Sequence, residues 1–398
     1  MSLFQINLRQ SWLIPFVAIA LLMTKMTVAF FDMEMFLASY VAQAGMLAAF
    51  LIALFLVIRD KKIHSYDLLV FAFMMFLEVV SLMNGTDWKN WFYVALTIST
   101  YLLLFNYYQD KYYTILLSIL FVLSVAIYCQ LFQCVLHPEK WIVEDAKDIH
   151  GFLLGGNYNH IGSRVIVALA VNIITANHNK WLKYNLALLI VCSFAILFMV
   201  RSMTSLSCMF LFLFLYLIRN QKLLSLGIVS LYIGAILFEV IVCFSGTGLQ
   251  NNELASWFIK EVLGKDMTFT GRTYMWDSAL RVIAESPVWG YGFVDREWYL
   301  SHMSTLAIGA HNYILNVLIF GGIILLTLYI ATIAKSIWHL SNINDIYAKR
   351  LMMAFGVLTI MMLFEVYETP FVFLLLTIMY YYPGQKLQIC SQEPLQEY

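Results

Sequence analysis

The stretch GRTYMWDSALRVIAESPVWGYGF, from Gly271 to Phe293, is a long polar interruption in an otherwise apolar chain. Arg272 opens a predicted helix, where free backbone N–H groups and the positive dipole end already favour an anion. A guanidinium there adds a planar fork of donors that keeps its charge, a combination suited to phosphate or diphosphate. Trp276, Ala279, Leu280 and Ile283 recur at i, i+3, i+4 and i+7, the apolar face of an amphipathic helix. Asp277, Arg281 and Glu285 form i,i+4 pairs on the polar side. Pro287 ends the helix, and Gly290 and Gly292 permit a tight turn. The expectation is a helix lying on a membrane surface, with Arg272 either over an anionic group or simply solvated as on a plain surface helix.

Other polar residues interrupt apolar runs. Lys25, Glu78, Arg164, Glu239 and Glu365 fall in segments where a charge is costly in hydrocarbon, which implies a polar cavity or internal pairs. Arg164 follows Asn157, Asn159 and His160 and is placed to face the same site; Glu239 and Glu365 read as structural partners. Asp145 and Asp148 are too few for a metal, and no metal site or cofactor is expected. Neither a Walker loop nor a GxGxxG cradle is present, so coupling to ATP is not expected. The six cysteines show no CxxC spacing and read as small buried hydrophobes.

The elements that must position these residues are membrane helices. Of 398 residues, 62% are hydrophobic and 12% charged, and mean hydropathy is +0.78. Net charge is zero, which removes any bulk electrostatic case for nucleic acid. About twelve segments are long and apolar enough to read as spans. They lie near 12–31, 36–58, 67–84, 91–108, 112–136, 161–177, 182–200, 203–218, 223–244, 311–334, 349–367 and 370–383. The first reads as a retained span. With both ends inside, every cytoplasmic connection is basic, as at Arg59, Lys61 and Lys62, at Arg219 and Lys222, and at Lys349 and Arg350. The expected fold is all-α and polytopic, a single membrane domain over 1–398. A large extracytoplasmic loop, 245–310, is inserted between spans 9 and 10. A second amphipathic helix is expected within 251–264.

Gly271, Arg272 and Trp276, the following amphipathic helix, and Pro287, Gly290 and Gly292 together resemble the outer loop of the O-antigen ligase and polymerase family. His311-Asn312 opening a span, with Gly321 and Gly322 half a span later, is similar to that family's H-N…G pattern. MVRSMTSL (199–206) resembles its S-[RK]-T-x-L segment through Ser202, Thr204 and Leu206. Met203 stands where a basic residue is usual, and Arg201 lies two positions earlier. The usable resemblance covers about 155–325.

The resemblance implies a metal-independent glycosyltransferase of the bacterial inner membrane, acting on undecaprenyl-diphosphate-linked oligosaccharide at the outer face. A sugar hydroxyl attacks an anomeric carbon, and lipid diphosphate leaves. Histidine suits proton acceptance near neutral pH, and arginines suit the developing diphosphate charge. On this reading His311 is the base or the residue that positions the acceptor, Arg272 the principal diphosphate clamp and Arg201 the second. Trp276, Asn312, Asn159, His160 and Arg164 are candidate substrate contacts, and aromatic residues such as Trp257, Tyr274, Trp298 and Tyr299 are candidate sugar platforms. Implied partners are the lipid-linked donor, a glycan acceptor and the bilayer, with a chain-length regulator and a flippase alongside. A polymerase of O-antigen, capsule or exopolysaccharide repeat units is favoured. The alternatives are an O-antigen-type ligase or, from another class, a transporter or flippase of lipid-linked sugar. A transporter should place polar groups near the midplane on broken helices in repeated halves, and no such repeat is visible.

Overall fold

A computed structural model describes residues 12–23, 35–58, 63–138, 158–176, 179–245, 272–303 and 309–384. They form helices with no strand among them. In chain order these are α1 (Leu13–Leu22), α2 (Met35–Ile58), α3 (Ser65–Asn84), α4 (Trp88–Tyr107), α5 (Tyr112–Leu136), α6 (Ile161–Thr175), α7 (Lys180–Met199) and α8 (Met203–Leu217). There follow α9 (Gln221–Phe238), α10 (Arg272–Glu285), α11 (Arg296–His302), α12 (Tyr313–Ser341), α13 (Ile346–Met362) and α14 (Thr369–Tyr381). A helix lies at each apolar segment read from the sequence. Six stretches, Ser39–Ile58, Ser65–Asn84, Gln109–Leu136, Lys180–Met199, Gln221–Cys243 and Tyr313–Ser341, are long and apolar enough to cross a membrane. The others are shorter or less apolar. The expected helix within 251–264, Lys25, and Asp145 and Asp148 lie outside the described residues.

Every residue of α6 is buried, and so are Phe371 to Met379 of α14. A helix that is apolar all round belongs inside a bundle. Around this centre α13 packs on α6, α8 and α9, while α12 packs on α3, α10 and α14. Outward faces carry large apolar side chains, among them Phe55, Phe198, Phe214 and Leu217, which suits a surface facing lipid rather than water.

The last long helix is not continuous. Gly321 and Gly322 leave helical geometry, Gly322 with φ +58°. The loop 287–293 fills the break. Tyr291 N donates to Ile319 O (2.9 Å), Gly292 N to Phe320 O (2.8 Å), and Ile323 N to Pro287 O (2.9 Å). Backbone freed by a kink in a membrane helix must find partners, and here the loop supplies them. The approach is too close for side chains: a Cβ on Gly322 would lie 2.3 Å from Val288 C, and one on Gly290 2.6 Å from Gly321 N. On its other side the loop is held by α3, where Phe293 N donates to Ser81 Oγ (2.8 Å) and Thr86 Oγ1 to Tyr291 O (3.2 Å). Pro287, Gly290 and Gly292 thus form a backbone plug for α12, where the sequence suggested only a tight turn. Two segment ends also shift. α13 stops at Met362, which leaves Glu365 in the turn before α14 instead of inside a span, and α12 begins at Tyr313, which leaves His311 just outside it.

Candidate functional site at the loop end of the bundle

The starts of α6 and α8 meet at the end of the bundle that carries the 287–293 loop. A one-turn 3₁₀ helix, Tyr158–His160, leads into α6. Gly162 permits the contact, since a Cβ there would lie 2.4 Å from Ser205 Oγ. Ser202 Oγ donates to Asn159 Oδ1 (3.1 Å) and Ser205 Oγ to Asn159 O (3.3 Å). Asn159 Nδ2 then donates to Glu365 Oε2 (3.0 Å). The other oxygen, Glu365 Oε1, accepts from Val366 N (3.2 Å) and lies 3.2 Å from His311 Nδ1.

His311 is fixed from its other side by Asn312. The Asn312 Oδ1 accepts from Leu315 N (2.9 Å) and caps α12, a role in which asparagine satisfies a free N–H of the first turn. Its Nδ2 donates to Glu239 Oε2 (2.8 Å) and lies 3.3 Å from Leu363 O. Glu239 begins a π-helical turn, Glu239–Cys243, at the end of α9, a local widening that recurs at functional sites. Among the described residues, His311 (φ 46°) and Arg201 (φ 54°) are the non-glycine residues with left-handed backbone. Such conformations cost about 1–3 kcal/mol and persist where the surroundings over-determine them, which is common at active sites.

Charge concentrates here. Burial works against ionisation of Glu365, but His311, His160 and the Val366 N–H outweigh it and hold its carboxyl below the usual range. Tyr367, two residues on, is fully enclosed; burial pushes its hydroxyl up, as does Glu365, while the Arg272 charge pulls the other way. Arg272 therefore lies within electrostatic reach of the same turn. The His160 ring is 5.8 Å from that of Tyr367. Arg164, 1% exposed, pairs with Glu368 Oε1 at 2.6 Å and lies over the Phe371 ring at 4.9 Å.

The structure thus links His311, Asn159, His160, Arg164 and Arg272 through one turn, 363–368, and joins Arg201 to it through Ser202. Arg201 itself is exposed and Met203 points outward. Four candidate substrate contacts are redirected: Asn159 has both ends of its amide on protein groups and Arg164 is buried against Glu368, so both position the 363–368 turn. Trp276 is fully buried, its ring 6.4 Å from that of Phe238, so it anchors α10 on α9 and offers no face to a sugar. Asn312 has both ends of its amide on protein groups, so it positions its neighbour. Tyr299 is buried with its hydroxyl donating to Asn316 Oδ1, which removes it as a sugar platform. Trp298 stacks on His302 at 4.3 Å. Trp257 lies outside the described residues. Asn84-Gly85-Thr86, which also fits a glycosylation sequon, is the left-handed end of α3 and the landing point of the 287–293 loop.

Sequence reasoning missed the 363–368 turn as a site element. Its signal was present as Glu365, Tyr367 and Glu368 clustered beside Pro370, a polar patch at the joint of two apolar runs.

The architecture is that of a helical, polytopic membrane protein, with His311, Glu365 and Arg164 meeting at the end of the bundle that carries the 287–293 loop. Residues 186–330 match the family described as O-Antigen ligase, the family whose motifs the sequence resembles. The match contains Arg201, Arg272, His311 and the α12 break, and it stops short of Asn159, His160, Arg164 and the 363–368 turn. Comparison with curated proteins gives no match. Members of the matched family transfer glycans in the membrane, from lipid-linked donors to acceptors.

Proposed function

We propose that this protein polymerises undecaprenyl-diphosphate-linked oligosaccharide repeat units at the extracytoplasmic face of the bacterial inner membrane, without a metal. His311 accepts the proton of the acceptor hydroxyl as its oxygen bonds to the anomeric carbon of the donor. The bond from that carbon to the diphosphate oxygen breaks, and the electron pair leaves with the lipid diphosphate. Arg272 and Arg201 stabilise the charge that develops on the leaving group, a role in which fixed donors are worth most when water is excluded. His160 lies at the approach of the sugars, and Arg164, buried against Glu368, holds the 363–368 turn in place.

The observation that carries this reading is the joining of separate motif residues. Ser202 beside Arg201, Asn159, Glu365 and His311 form one chain of contacts of 3.1, 3.0 and 3.2 Å, with left-handed backbone at both Arg201 and His311. The break in α12 would suit a transporter, but its freed backbone is taken up by the 287–293 loop instead of facing a cavity.

The test is glycan length in a strain lacking the gene, complemented with wild type or with His311→Ala. A polymerase leaves lipid-linked single repeats in the deletion and with His311→Ala. Full-length chains stranded on the lipid diphosphate would mean a ligase, the alternative that shares this chemistry. Normal chains with His311→Ala would remove the histidine from the mechanism.

A further inference from the structure

We infer that Glu365 is the positioning residue of His311. It fixes the imidazole with Nδ1 on the carboxylate and Nε2 turned to the acceptor hydroxyl, and Asn159 locks the carboxylate in that pose. The inference rests on the glycan-transfer reading above and adds to it a residue outside the matched family segment.

The carboxylate is held at both oxygens. Glu365 is 7% exposed, and it sits in a six-residue turn between two well-packed helices. Oε1 meets Val366 N and His311 Nδ1, each at 3.2 Å, and Oε2 accepts from Asn159 Nδ2 at 3.0 Å. Asn159 cannot turn freely, because its Oδ1 accepts from Ser202 Oγ and its backbone carbonyl accepts from Ser205 Oγ. A rotation of the Glu365 carboxylate would therefore break its contacts to Asn159, to Val366 N and to His311 together.

The histidine is the more open partner, with 18% of its side chain exposed against 9% for Glu365. Its backbone is pinned by the Asn312 cap and lies in the left-handed region. With Nδ1 facing the carboxylate at 3.2 Å, Nε2 is the nitrogen left for substrate. A carboxylate on one ring nitrogen selects the tautomer that carries its proton there and leaves the lone pair on the other. That is the tautomer a general base needs. When the acceptor hydroxyl gives up its proton, Nε2 takes it, the ring becomes cationic, and Glu365 stays ionised beside it. The proton later leaves for solvent or the departing diphosphate, which restores the neutral ring.

Four other groups surround the pair. His160 reaches Glu365 electrostatically, Tyr367 packs beside it, Arg272 reaches Tyr367, and Glu239 holds Asn312 below.

The experiment uses the full chain in lipid nanodiscs with a synthetic polyprenyl-diphosphate oligosaccharide, and compares wild type, His311→Ala, Glu365→Gln, Glu365→Asp and Asn159→Ala. Glu365→Gln is expected to lower kcat roughly a hundredfold or more, the scale of a lost acid–base contribution, with KM within about threefold. A purely structural role would lower the yield of folded protein and would not split kcat from KM. Glu365→Asp should recover part of kcat, and Asn159→Ala should lose about tenfold.

Wild-type kcat in Glu365→Gln, with His311→Ala inactive, would overturn the role of Glu365 and leave the glycan-transfer reading standing. Full activity in His311→Ala would overturn that reading itself. If Glu365→Gln fails to give folded protein, Glu365→Asp and Asn159→Ala decide, and wild-type kcat in both would sink the inference.

Discussion

Asp67 and Glu365 are carboxylates buried at opposite ends of the same bundle, and their partners differ in kind. Asp67 is 3% exposed at the start of α3. It accepts from Tyr381 OH (2.8 and 2.9 Å), Asn106 Nδ2 (2.8 Å) and His64 N (3.1 Å). Nearby Asp345 caps α13 through Tyr347 N (3.0 Å) and accepts from Tyr382 OH (2.5 Å). Tyr66 stacks on Tyr380 at 4.2 Å, and His339 contacts the Tyr382 carbonyl at 2.9 Å. The carboxylates there take hydrogen bonds from phenols, an amide and backbone N–H groups. At the loop end the carboxylates meet a histidine and an arginine, beside left-handed backbone at His311 and Arg201. One end is a knot of caps and satisfied acceptors in relaxed backbone. The other keeps mobile protons and anion-seeking charge close together, at a cost in strain. Burial of a charge does not mark a site by itself. The chemical kind of its partners and the strain beside it do.

The widest test of that contrast is Asp67→Ala. It leaves a phenol, an amide and a backbone N–H without their acceptor in a buried place, where each lost partner costs about 1–3 kcal/mol. A stability loss of about 3 kcal/mol is expected, read as a lower melting temperature in nanodiscs, with transfer per folded molecule unchanged. A drop in turnover at full stability would mean that this end also serves the chemistry.

Next is Arg272→Lys, which keeps the charge and removes the two-pronged donor geometry. Transfer should fall between tenfold and a hundredfold, with melting unchanged, since Arg272 is half-buried at a helix start and holds no core position. Equal rates for the two cations would reduce its role to a point charge.

Gly322→Ala tests the frame between the ends. Its φ of +58° and the 2.3 Å approach to Val288 C leave no place for a methyl. A loss of about 2 kcal/mol is expected, with turnover falling too because the loop that carries α10 is displaced. Hydrogen exchange confined to 287–293 and the α12 break would check the cause, and protection equal to wild type there would show that the plug is not what holds the loop.

Much of this frame was legible in the chain. Apolar runs near the required length located helices, because hydrocarbon permits little else. The Trp276, Ala279, Leu280 and Ile283 spacing gave α10, and Pro287 its end, since both are local effects of helix period and proline geometry. Arg201, Arg272 and His311 came from motif resemblance. What stayed hidden was long-range pairing. Asn159 and Glu365 stand 206 positions apart, and nothing near either names the other. Glu365 read as a structural charge in a span because the apolar run passes through it, while the helix ends three residues earlier. Gly321-Gly322 and Pro287-x-x-Gly290 were both noticed, but their backbone pairing leaves no periodicity to read. Trp276 and Asn312 were placed in the right region with the wrong orientation, because a motif residue's position does not say whether its side chain faces substrate or core.

The smallest expected effect is also the one that separates strain from stability. Arg201 holds φ 54°, a region where an L side chain crowds its own carbonyl and glycine does not. Arg201→Gly removes that crowding and also frees the unfolded chain, two opposed effects of up to about 1 kcal/mol each. Melting should therefore stay within about 1 kcal/mol of wild type, on either side. Transfer should still fall, because the guanidinium is gone while Ser202 and its bond to Asn159 remain. Arg201→Ala keeps the left-handed strain and loses the same charge. It should melt lower than Arg201→Gly and transfer no faster. If alanine and glycine instead melt together and both keep wild-type turnover, the strained backbone at Arg201 is incidental. The contrast between the two ends would then rest on His311 alone.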